Sequence, residues 1–134
     1  AIMGAYEYIK QPVMPLEKSV LLNMDGVGVG HSIRAAAGTN YPKLWSFVEE
    51  ANNKYIHRPL STSYFSNLGR PRLDAARFIG AGVPSLSFST YGSTNYYHIP
   101  LDNIDIIKPE IMEDLAQLLL VTVVNMANSP DPLR

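Results

Sequence analysis

The sequence predicts an α/β layer fold, in which helices flank a sheet. Two short apolar runs, at 18–24 and 85–89, have the length of strands and end in glycine-rich or polar segments. Apolar residues recur at helical spacing over 41–53 and again after Pro109. Because strands that alternate with helices are typical of α/β layers, we expect one sheet with helices on its faces.

Length and composition limit the organisation of the chain and its partners. Its 134 residues suffice for one domain with a sizeable core, so we treat 1–134 as a single unit. Charged residues make up 17% and the formal net charge is -1, which argues against nucleic acid as a partner. The chain has no cysteine, so any metal must bind histidine, aspartate or glutamate.

The hydropathy pattern gives no sign of a membrane partner. No apolar stretch reaches the roughly 20 residues of a membrane span. The first residues also lack the charged start and apolar core of a signal peptide. We therefore expect a soluble molecule, and the sequence does not assign its compartment.

The N-terminal elements are predicted from apolar runs and the residues that end them. Residues 1–8 form the end of a helix, and a proline-containing loop follows. The run at 18–24 is expected to be a buried strand that Asp25 and the next glycines terminate. A second short strand is expected at 31–37.

The segment 41–53 predicts an amphipathic helix. Pro42 suits its first turn, where the missing N–H is tolerated, and Thr39 or Asn40 is the expected cap. Its apolar face is formed by Leu44, Phe47, Val48 and Ala51.

The second half of the chain predicts two more strands and two more helices. A strand near 55–58 is followed by a polar loop, and a short helix at 72–79 precedes the strand at 85–89. Pro109 opens a long, mostly buried helix. The connection at 91–107 is long, and connections of that length often have a function.

Two segments contain residue types suited to metal chemistry. Asp25 ends the first strand, and residues 97–102 (YHIPLD) contain His98. Carboxylate oxygen and imidazole nitrogen are both zinc ligands, and ligands of α/β sheets gather beyond the carboxyl ends of strands. Considered without other information, Asp25 before Gly26 is also typical of a turn, and His98 also fits a packed loop histidine.

Other polar motifs have structural interpretations. The glycines at 26–30 resemble a phosphate loop, but a strand-like segment follows instead of a helix, so dinucleotide binding is not expected. Glu49 and Glu50 are interpreted as a solvated helix face, and Asp74 as a cap or ion-pair residue.

The ordered segments 23–28 (NMDGVG), 80–88 (GAGVPSLSF) and 97–102, with the terminal helix, carry a family resemblance. They resemble the C-terminal half of the two-zinc aminopeptidases, peptidase family M28, of the bacterial leucyl aminopeptidase and aminopeptidase Y type. The resemblance implies a zinc exopeptidase-like, partial three-layer α/β fold that lacks the N-terminal half. It also implies a peptide substrate, and family members are often secreted or periplasmic.

The resemblance assigns roles to individual residues. Asp25 matches the family's ligand of one zinc ion and His98 its ligand of the other. Two such ions activate a water and polarise the scissile carbonyl. Asp102 is a candidate to accept a hydrogen bond from the second imidazole nitrogen or from its own turn. Tyr96 and Tyr97 are candidate substrate-binding residues, although the sequence does not choose between them and Tyr64.

The match is incomplete in ways that bear on activity. The family order is His, bridging Asp, Glu-Glu, Asp and His, and only the last two have counterparts here. Residues 2–4 resemble the stretch that follows the glutamate pair, so no catalytic residue is assigned in this chain. Family residues are also replaced at Gly26, at 73–75 and at Ile99. Each ion would keep one protein ligand, so the isolated chain is expected to bind zinc weakly and to be inactive.

Two consequences follow for partners and function. A sheet without its first half exposes strand edges, so homo-oligomers are expected to form through those edges. The alternative to an aminopeptidase part is a degenerate, non-catalytic domain used for binding or assembly.

Overall fold

The computed structural model describes residues 2–66 and 72–130. Its α-helices are α1 Met3–Lys10, α2 Pro42–Ala51, α3 Asp74–Gly80 and α4 Pro109–Ala127. Its strands are β1 Leu21–Met24, β2 Ile33–Ala36, β3 Leu60–Ser63 and β4 Ser85–Thr90. The predicted α/β class is confirmed, and no helix in these ranges is long and apolar enough to cross a membrane.

The four strands form one mixed sheet in the order β1-β4-β2-β3. β1 runs parallel to β4, β2 runs antiparallel to β4, and β3 runs parallel to β2. β1 was expected to be buried, but Leu21 to Asn23 are half-buried and Met24 is 53% exposed. The reason is its position, because β1 is an edge of the described sheet.

The main core lies between one face of the sheet and helices α2 and α4. Alternate residues of the inner strands point to this face, among them Ile33, Leu86 and Phe88, each with no exposed surface. The helices cover them with Leu44, Trp45, Val48, Ile111, Leu115 and Leu118. The apolar spacing that predicted α2 and α4 therefore marks the faces that are buried.

The opposite face of the sheet is covered in part by α3. Its Ala75 and Ala76 are buried, and the helix contacts β1 and β4. Helix α1 packs on α3, where the rings of Tyr8 and Phe78 lie 5.8 Å apart. Helices on both faces give the expected partial three-layer arrangement.

The strand predicted at 55–58 is wrong. The helical path of α2 continues as a π-helix over Asn52–Ile56, and the strand begins only at Leu60. Asn52 is 5% exposed, and its amide donates to the carbonyl of Arg58 at 2.9 Å and accepts from the Arg58 N–H at 3.1 Å. These two bonds close the turn before β3 and delay the strand.

The predicted side-chain cap of α2 is also wrong. Tyr41 occupies the N-cap position without a side-chain hydrogen bond. The Asn40 amide instead donates to the Phe65 carbonyl at 3.0 Å and accepts from the Phe65 N–H at 2.8 Å. Asn40 therefore ties the segment after β3 to the start of α2.

Replacing Asn52 with alanine is expected to lower the free energy of unfolding by about 2 kcal/mol, because it leaves two partly buried backbone groups of Arg58 without partners. The exposed neighbour Asn53 gives the matched control, since Asn53→Ala should change stability by less than about 0.5 kcal/mol. Urea unfolding followed by circular dichroism measures both. Equal midpoints for the two variants would contradict the role assigned to Asn52.

Candidate functional site

The end of β1 fixes the position of Asp25. Its backbone N–H donates to the Phe88 carbonyl at 2.9 Å, so residue 25 stays paired with the central strand β4. Gly26 follows with φ 66, a left-handed conformation that favours glycine. The carboxylate of Asp25 is exposed beyond the carboxyl end of β1, where α/β sheets gather ligands.

His98 lies in a chain of tight turns. The N–H of Ile99 donates to the Tyr96 carbonyl at 3.4 Å, and the N–H of Asp102 donates to the Ile99 carbonyl at 3.0 Å. His98 itself has φ 58, which is uncommon for a residue with a side chain and occurs often at functional sites. Its ring stacks on that of Tyr97, with centroids 3.8 Å apart and planes 17° apart.

One cavity joins these two segments. It has a volume of about 390 Å³, and both Asp25 and Tyr97 line it. His98 does not itself line this cavity, but its ring stacks on that of Tyr97, which does. The sheet provides the floor of the cavity, and Ser93 and Thr94 also line it. The structure thus brings the segments after β1 and β4 to one concave surface, which we call the Asp25 cavity.

The remaining predicted residues lie apart from one another. Tyr96 lines a second cavity of about 410 Å³, together with Tyr91 and Lys108. Asp102 is exposed, and within the described ranges no hydrogen bond joins its carboxylate to His98. Tyr64 is exposed and lines neither cavity. Roles for Tyr96, Tyr97 and Asp102 therefore stay predictions, and only Tyr97 shares the cavity of Asp25.

The donor set for a metal is incomplete in the described residues. Within 2–66 and 72–130, no group of three or more His, Cys, Asp and Glu side chains is placed to hold a metal ion. A catalytic zinc ion has three protein ligands, so Asp25 and His98 do not form such a site by themselves. Glu49 and Glu50 are exposed on α2, as the sequence predicted.

Sequence reasoning missed the polar floor of the Asp25 cavity. Arg34 of β2 lies between Ser89 of β4 and Ser61 of β3 in the strand register. Two residues further along β2, Ala36 lies between Ser87 of β4 and Ser63 of β3. The side chains of Arg34 and of these four serines line the cavity. The alternation of serine with Leu86 and Phe88 was a signal for a polar face, but the sequence did not indicate which strands would lie beside it.

Comparisons with known proteins find a matching family and solved structures with a similar fold. The model of peptidase family M28 matches residues 1–123. A zinc aminopeptidase from Bacillus subtilis, BSAP, has 19% identity and a TM-score of 0.76, with 98% of this chain and 34% of that chain covered. An aminopeptidase from Aneurinibacillus sp. strain AM-1 has 18% identity and a TM-score of 0.77, with 100% of this chain and 32% of that chain covered.

The LapA aminopeptidase of Legionella pneumophila is also similar, with 15% identity, a TM-score of 0.73, and coverage of 97% of this chain and 36% of that chain. A search of curated protein sequences finds no significant match. At these identities the structural likeness concerns the fold. The chain spans about a third of the length of each of these enzymes.

Proposed function

This chain belongs to peptidase family M28, and we propose that it is the C-terminal part of a zinc-dependent aminopeptidase that removes N-terminal residues from peptides. The observation that carries the proposal is the Asp25 cavity. It joins the carboxyl end of β1 to the loop of Tyr97 and His98. These are the two segments in which the family resemblance assigns zinc ligands.

In this proposal the described residues supply one protein ligand to each ion of a two-zinc site. The carboxylate of Asp25 and the imidazole of His98 each bind a different ion, and the other ligands and the catalytic glutamate come from residues outside this chain. Bound zinc ions would supply the Lewis-acid chemistry of the reaction, activation of a water and polarisation of the scissile carbonyl. Tyr97 forms a wall beside the substrate, and Asp102 and Tyr96 stay candidates for orienting His98 and the substrate.

The isolated chain is proposed to be inactive and to bind zinc weakly. One ligand for each ion, without a chelating partner, leaves most of the binding free energy unrealised. Homo-oligomers also stay part of the proposal. β1 is an edge of the described sheet, and the backbone groups of an edge strand are a template for pairing with another strand.

Zinc content tests the proposal directly. Purified full-length protein is expected to contain about two zinc ions per chain, as a two-metal site requires, and to hydrolyse leucyl-p-nitroanilide. Residues 1–134 alone are expected to retain much less than one ion and to lack activity. Elemental analysis after gel filtration gives the stoichiometry. Full-length protein without zinc and without hydrolysis would refute the aminopeptidase assignment.

A second function is favoured by the exposed apolar surface. Leu120, Val123 and Val124 of α4 are about half exposed or more, as is Met24 on β1. A degenerate, non-catalytic domain that uses such surface for binding or assembly would leave full-length protein unable to take up zinc. The same measurement therefore separates the two functions.

A further inference from the structure

Among the residues that the structure describes, Arg34 supplies the guanidinium on the floor of the Asp25 cavity. Arg34 lies on β2, and its neighbours in the register are Ser89 on one side and Ser61 on the other. Its Nε donates to the Ser89 hydroxyl at 3.1 Å. This bond fixes one edge of the guanidinium and leaves the two terminal nitrogens with their N–H groups.

No carboxylate neutralises Arg34 within residues 2–66 and 72–130. The ion pairs in those ranges join Lys10 to Glu7 and Arg58 to Asp114. Arg34 therefore makes no ion pair in these ranges, although the carboxylate of Asp25 lines the same cavity beyond the carboxyl end of β1. A planar guanidinium with two free nitrogens matches a carboxylate, which it binds through two parallel hydrogen bonds.

The serine hydroxyls beside Arg34 can also donate hydrogen bonds to an anion in the cavity. The Ser89 hydroxyl accepts from Arg34, and the Ser87 hydroxyl accepts from the Asn23 amide at 3.1 Å. A hydroxyl that accepts a hydrogen bond keeps its own proton to donate. Neither proton has an acceptor in the described part of the chain. Ser87 is 5% exposed, so its hydroxyl is largely shielded from solvent.

We propose that the Asp25 cavity binds a carboxylate group of the peptide substrate, held by Arg34 with Ser87 and Ser89. This inference rests on the proposed function, because it assigns the occupant of the same site. The strands of Asp25 and Arg34 flank β4, so their backbones lie about 10 Å apart, two strand spacings. One or two residues of a bound peptide, together with the two side chains, bridge that distance.

Two sources of carboxylate fit this chemistry, and substrate pairs separate them. Glutamyl- against glutaminyl-p-nitroanilide tests an acidic side chain at the N-terminal residue, and leucylglycine against its amide tests the C-terminal carboxylate of a dipeptide. In full-length protein, kcat/KM in one pair is expected to favour the acid by about tenfold to a hundredfold, the range of a charge-assisted hydrogen bond. The pair that shows the preference identifies the source.

Arg34→Gln is the decisive variant, since it keeps a hydrogen-bond donor and removes the charge. It is expected to bring the ratio of kcat/KM for the acid to that for the amide close to one. Arg34→Lys should retain only part of the preference for the acid. Lys18→Gln removes the same charge from an exposed residue outside the cavity and should leave the preference unchanged. A preference that survives Arg34→Gln, or no preference in either pair, overturns the proposal.

A binding measurement separates this inference from the proposed function. Calorimetric titration of chelator-treated full-length protein with glutamate, glutamine, leucylglycine and its amide needs no hydrolysis. Arg34-dependent binding of an acid, combined with no hydrolysis by the untreated full-length protein, supports the cavity chemistry and refutes the aminopeptidase. Hydrolysis without Arg34-dependent discrimination supports the aminopeptidase and refutes the carboxylate site. Failure of both measurements refutes both proposals.

Discussion

Replacing His98 with alanine in full-length protein is expected to remove about one of two zinc ions and to lower kcat/KM by more than about a hundredfold. Loss of a residue that only orients a ligand already costs about tenfold to a hundredfold, and loss of the ligand itself should cost more. His98 is exposed and its ring stacks on Tyr97, so the substitution removes little buried surface. Elemental analysis and steady-state kinetics measure the two effects.

His57 gives an unusually close control for this substitution. It has φ 60 against φ 58 for His98, both residues are exposed, and neither lines a cavity, but only His98 lies beside Tyr97 of the Asp25 cavity. The backbone cost of an alanine in the left-handed region is therefore the same in both variants. His57→Ala should keep zinc and activity, whereas Asp25→Asn should resemble His98→Ala. Equal losses for both histidines would show that His98 is not a ligand.

The main elements were predictable because their apolar spacing is local. The run that ends at Met24 and the alternation of Leu86 with Phe88 place β1 and β4 within a few residues. The helices α2 and α4 follow from apolar residues three and four apart, each opened by a proline. Such patterns record which face of an element is buried, and tertiary packing then uses the same face.

The wrong predictions, the cap of α2 and the strand at 55–58, arise where an asparagine side chain binds backbone groups that local sequence patterns do not indicate. Asn40 has the chemistry of a helix cap, but its amide pairs with Phe65, which is 25 residues away. Asn52 pairs with Arg58 and keeps Tyr55 and Ile56 in a helical turn, although their residue types favour a strand. Local propensity cannot decide between such partners, because the competing hydrogen bond depends on the folded arrangement.

The candidate site was predictable only where a motif marks it. Asp25 and His98 stand in segments whose order resembles a known family, so the sequence alone names them as candidate ligands, and that assignment stays a prediction. Arg34, Ser61 and Ser89 come from three strands that are widely separated in the sequence, and the sheet register alone makes them neighbours. The order β1-β4-β2-β3 also includes an antiparallel pair, which a simple strand-helix alternation does not predict.

Replacing Phe88 with alanine is expected to lower the free energy of unfolding by about 3–5 kcal/mol. Phe88 has no exposed surface and lies on β4, between Met24 of β1 and Ala35 of β2. Its ring belongs to the core that joins the sheet to α2 and α4, so truncation leaves a cavity between the sheet and these helices. Domains are commonly stable by about 5–15 kcal/mol in total, so this loss approaches global unfolding.

Two further variants make the effect of Phe88 specific. Ile104 is 82% exposed, and Ile104→Ala should change stability by less than about 0.5 kcal/mol. Phe88→Leu keeps most of the apolar volume and should cost less than Phe88→Ala. Urea unfolding monitored by circular dichroism ranks the three, and a Phe88→Ala midpoint equal to that of Ile104→Ala would contradict the assigned core. Because Phe88 points away from Ser87 and Ser89, a folded Phe88→Leu protein should also retain the Arg34-dependent preference for a carboxylate.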